Sequence, residues 1–111
     1  SCLFDKGELT KPKTVCIKKG TVTVNVLDPM SFSPSITDAA VGDTIKWVWA
    51  AGVSSHTTTS VTIPSGTATW NSGIQTGAFT YTYVLTKSGT YNYECQIHGS
   101  TGMTGTINVC Q

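Results

Sequence analysis

Polar and apolar residues alternate with period two in five separate runs of this 111-residue chain, a repeat that suits strands with one buried face and not amphipathic helices. In Thr21-Val22-Thr23-Val24-Asn25-Val26 the three valines share a face. From Thr44 to Ala50, Ile45, Trp47 and Trp49 share one, which brings a large aromatic area to a core. Phe79, Tyr81, Tyr83 and Leu85 alternate, a Lys87-Ser88-Gly89 turn follows, and Tyr91, Tyr93 and Cys95 line the next run. Met103, Gly105, Ile107 and Val109 line the last. Phe32 to Ile36 is a shorter extended piece in which Pro34 implies an edge or a bulge, and Val41-Gly42-Asp43 supplies a turn. Thr57 to Thr59 reads as extended. The Gly-, Ser- and Thr-rich stretch from Ser60 to Gly77 has only Trp70 as a strong anchor, and its strands are not defined by period. Runs of helix formers are absent, so the chain is expected to be all-β.

The length suits one domain. Residues 1–20 hold five of the seven lysines (Lys6, Lys11, Lys13, Lys18 and Lys19) and little apolar period, and are expected to be an extension to a domain spanning 21–111. There is no Arg and the formal net charge is +1, which argues against nucleic acid, whose phosphates call for clustered Lys and Arg. No apolar run is long enough to span a bilayer and no leader pattern opens the sequence, which reads as a mature or trimmed chain. Four Cys in so short a chain point to an oxidising compartment, periplasmic or extracellular.

Cys2, Cys16 and Cys110 lie near the termini, whereas Cys95 opens the stretch Cys95-Gln96-Ile97-His98-Gly99-Ser100-Thr101-Gly102-Met103. That loop offers a thiolate, an imidazole and a thioether between two strands, with Gly99 and Gly102 able to turn tightly around one ion. Two His and a Cys with a long axial Met are the donors of a blue-copper site. The second imidazole must be His56, the only other His in the chain. Taken singly, a His in a Ser/Thr-rich loop, a Met at a strand start and a Cys on an inner face are most often a solvated residue, core filling and an inert thiol. Their joint spacing points to a metal site made of His56, Cys95, His98 and Met103, with copper favoured over zinc by the soft sulfur donors.

Gly42-Asp43-Thr44, His56-Thr57, Gly89-Thr90-Tyr91-Asn92-Tyr93-Glu94-Cys95 and the C-x2-H-x4-M loop resemble the plastocyanin-like cupredoxins over roughly residues 21 to 109. The resemblance implies an eight-stranded Greek-key β-sandwich with a single type 1 copper under one end. It also implies that Thr57, where plastocyanins often carry Asn, donates its backbone N–H to the Cys95 sulfur. In the implied topology Cys16 and Cys110 fall at the end away from copper, where a disulfide between them is expected. Cys2 could instead pair with either, stay unpaired, or carry a lipid, the last being the only route to a membrane.

The expected function is electron transfer by Cu(II)/Cu(I) cycling through His98. Redox protein donors and acceptors would dock at an apolar end framed by Pro34, Gly52, Val53, Gly99 and Gly102, and no small-molecule substrate is needed. Both His are consumed by one site and no second Cys stands beside Cys95, so the residues offer an enzyme no second metal centre. A copper carrier or sensor using the same donors is the alternative.

Overall fold

The computed structural model describes residues 16–111; Cys2 and the lysines at 6, 11 and 13 lie outside that range. Each alternating run forms a strand, and the described residues contain eight: β1 Thr21–Leu27, β2 Ser31–Ser33, β3 Ile36–Ala40, β4 Thr44–Trp49, β5 Thr59–Thr62, β6 Phe79–Val84, β7 Gly89–Glu94 and β8 Thr104–Cys110. They form two four-stranded sheets, ordered β2-β1-β4-β6 and β3-β8-β7-β5. Strands β1 and β4 run parallel, as do β3 and β8, and the remaining neighbours are antiparallel. This is the expected all-β sandwich of eight strands.

The apolar faces meet between the sheets. Val24, Val26, Ile45, Trp47, Trp49, Tyr91, Tyr93, Leu85 and Ile107 are buried, so the valine, tryptophan and tyrosine alternations all point inward. Trp47 is the centre of the packing, with ring centroids 5.3 Å from Tyr93 in an edge-on contact and 5.4 Å from Trp70. Aromatic pairs at such separations add to the free energy of area burial. The weakly patterned stretch between β5 and β6 is mostly loop, and Trp70 pins it by entering the core while its indole N–H donates to Thr58 Oγ1 at 3.1 Å.

Opposite ends of the sandwich are tied differently. Cys16 and Cys110 form a disulfide at the end of β8, which leaves neither available to Cys2. Close to it Asp43 is fully buried and accepts backbone N–H groups from Lys19 and Gly20 at 2.8 Å and from Ala40 at 2.9 Å. Burial alone would raise the Asp43 carboxyl, but these three N–H donors and nearby Lys19 outweigh it and the carboxyl is lowered. The parallel pairing of β1 with β4 brings Leu27 and Trp49 out together at the other end. There the turn after β1, the loop holding His56 and the loop between β7 and β8 converge.

Candidate metal centre

Cys95 directly follows β7 and is fully buried. The loop beyond it is closed by its own backbone: Cys95 N–H donates to Met103 C=O at 3.0 Å, and Met103 N–H donates to His98 C=O at 3.2 Å. Between them a 3-10 turn spans Gly99–Thr101, and Gly102 takes φ +102°, a conformation that suits glycine. Met103, also fully buried, leads into β8. His98 is partly buried on this loop. His56 comes from the loop between β4 and β5 and is locked in both directions to Gln75, each N–H donating to the other's C=O at 3.0 Å.

These elements bring three donor atoms into one cluster. His56 Nδ1 and His98 Nδ1 are 3.2 Å apart, and Cys95 Sγ lies 3.6 Å from His98 Nδ1 and 4.0 Å from His56 Nδ1. Donors bound at roughly 2.0–2.3 Å and spread in a plane around a single ion stand about 3.5–3.7 Å from one another. The three separations bracket those values, so the cluster accommodates one metal ion with donor shifts of a few tenths of an ångström. Among the described residues this is the group of His, Cys and carboxylate side chains able to hold one.

Thr57 holds the sulfur and the loop together. Its N–H lies 3.3 Å from Cys95 Sγ and donates to it. Its Oγ1 accepts the Gln96 N–H at 2.9 Å and meets Thr59 Oγ1 at 2.9 Å. The hydroxyl thus braces the ligand loop from the neighbouring segment.

The comparisons agree with this geometry. A family model of copper binding proteins, the plastocyanin/azurin family, matches residues 18–110. The chain belongs to that family. Copper is accordingly the metal of this cupredoxin, and the zinc reading falls away. Among solved structures, a pseudoazurin from Sinorhizobium meliltoi is 31% identical, with a TM-score of 0.70 over 84% of this chain and 76% of that one. A native pseudoazurin from Hyphomicrobium denitrificans is 26% identical, with a TM-score of 0.71 over 83% of this chain and 77% of that one. A Cu-containing nitrite reductase from Thermus scotoductus is 24% identical with a TM-score of 0.66; 95% of this cupredoxin overlays only 26% of that enzyme, a likeness of fold. A search of curated proteins found no match.

Two residues at this end carry no signal in the sequence pattern. Asp28, in the turn after β1, puts Oδ1 2.8 Å from His56 Nε2, and Ser54 donates its N–H to Asp28 Oδ2 at 3.0 Å and its hydroxyl to Oδ1. The Ser54 hydroxyl, then His56, then the Ser54 N–H hold the Asp28 carboxyl at about 2. An Asp-Pro dipeptide after a strand reads as turn chemistry, and only the fold brings it to His56.

Proposed function

We propose that this cupredoxin is a one-electron carrier, not an enzyme, in which His56, Cys95, His98 and Met103 hold a single type 1 copper ion. The carrying observation is the trio of Nδ1, Nδ1 and Sγ, gathered within 4.0 Å of one another around a space for one ion. Bound copper would supply Cu(II)/Cu(I) cycling. The protein's part is to keep its donors still when the charge changes, because ligand rearrangement adds to the transfer barrier. The His56–Gln75 backbone pair, the Cys95–Met103 closure and the Thr57 brace all serve that end.

Electrons would pass through His98, the partly exposed donor, to redox proteins docking around it. Met30 and Ile97, 39% and 44% exposed, support an apolar docking surface there. The Thr101 hydroxyl, 3.1 Å from Met30 Sδ and 2.8 Å from His98 C=O, joins the β1–β2 turn to the ligand loop. The Cys16–Cys110 disulfide supports a working place outside the cytoplasm. Residues 21–111 would be the working domain, with residues 1–20 an extension tied to it through Cys16.

The test is to load the apoprotein with Cu(II), record its visible and electron-spin-resonance spectra, and titrate its potential. Intense colour from the thiolate, reversible one-electron cycling and fast self-exchange are expected, and Cys95→Ser should abolish the colour. Failure to cycle, or ready surrender of copper to a chelator, would favour a copper carrier instead.

A further inference from the structure

The His56 imidazole is fully buried, yet its outer nitrogen meets a carboxylate that is itself 43% exposed. The contact spans 28 residues of sequence and joins the turn after β1 to the loop after β4. Asp28 is not left to find this position by itself. Ser54, two residues before His56, supplies both its backbone N–H and its hydroxyl to the two carboxylate oxygens. One short segment thus carries the metal-facing imidazole and the clamp that aims Asp28 at it.

An ionised carboxylate has no proton to give. The 2.8 Å contact therefore requires the proton on His56 Nε2, and a neutral imidazole protonated there has its lone pair on Nδ1. Nδ1 is the atom that faces His98 and Cys95. A neutral acceptor would fix the tautomer equally well. A carboxylate also adds negative charge at the back of the ring, which makes the ring a stronger donor and favours the more highly charged metal ion.

We infer that Asp28 is a positioning residue of the copper centre, acting through His56: it selects the imidazole tautomer that binds metal and biases the site toward Cu(II). This rests on the reading of the protein as a one-electron carrier with a single copper. It separates two effects that different substitutions remove. Asp28→Asn keeps an acceptor for Nε2–H and deletes the charge, whereas Asp28→Ala deletes both. Ser54→Ala leaves the carboxylate and removes one of the donors that aim it.

The experiment measures the reduction potentials of copper-loaded wild type, Asp28→Asn, Asp28→Ala and Ser54→Ala by spectroelectrochemistry at neutral pH. Thermal melts and the His56 Nε2–H proton resonance in the Cu(I) forms are recorded alongside. Partners of metal-bound His typically govern affinity by 10- to 100-fold. A tenfold loss of Cu(II) relative to Cu(I) affinity in Asp28→Asn corresponds to a rise of about 59 mV for a one-electron couple. The rise should be present in Asp28→Asn and smaller in Ser54→Ala. The Nε2–H resonance should persist in Asp28→Asn and broaden or vanish in Asp28→Ala. If Asp28→Ala does not fold, Asp28→Asn and Ser54→Ala still decide the matter. A wild-type potential in Asp28→Asn, with or without a lower melting temperature, overturns the inference while leaving the one-electron carrier intact. A wild type that takes up no Cu(II) overturns both.

Discussion

Thr57 shows how much one side chain at this centre carries. Its N–H and its hydroxyl serve different partners, the Cys95 sulfur and the Gln96 N–H, so substitution can separate them. Thr57→Ala should keep the visible colour but leave the Gln96 N–H without its acceptor, costing about 1 kcal/mol in urea unfolding of the apoprotein. Thr57→Ser should restore most of that loss. Asp43 behaves differently because it is buried with three backbone donors. Its folded-state carboxyl lies below the ordinary 3.8, so its contribution is complete above that value and fades as pH falls through the lower folded one. Asp43→Asn should therefore cost about 3 kcal/mol at pH 7, and the gap from wild type should narrow in strong acid, as denaturant titrations across pH would record.

Strands were legible in the sequence wherever their two faces differ in chemistry, which is why Val24, Val26, Trp47, Trp49, Tyr91 and Tyr93 could be placed inward from alternation alone. Strand β5 was not. Its residues Thr59–Thr62 are half-buried or exposed, with no apolar face to betray it, and a register shift between Ser60 and Thr62 breaks the period. The ligands were legible because two His and one inward Cys leave little choice. Asp28 and Ser54 were not, since a contact between two turns leaves no periodic trace. Pairing also explains a glycine inside a strand. Gly105 of β8 faces Tyr93 of β7, and a Cβ there would come 2.2 Å from the tyrosine Cζ. Gly105→Ala should destabilise by about 1–3 kcal/mol, as overpacking does. Combining it with Tyr93→Leu should cost less than the sum of the single changes, measured as a double-mutant cycle.

The whole molecule is fastened at one end by a disulfide and organised at the other around a metal site. The disulfide joins residues 94 apart in sequence, a separation for which the chain-entropy model gives about 4–5 kcal/mol. Cys16→Ser should lower the melting temperature by on the order of 20 °C. Copper loading should raise it in both proteins by similar amounts, since distant sites add; calorimetry of the four forms checks this. The same separation guards the thiol during oxidative folding. Cys95 pairs through its backbone with Met103, and Cys110 stands at the far end of β8, about 20 Å away at the usual rise per strand residue. No disulfide spans such a gap. Once β7 and β8 have zipped together, Cys110 can close the structural bond with Cys16 but cannot reach across the strand to capture the sulfur that copper needs.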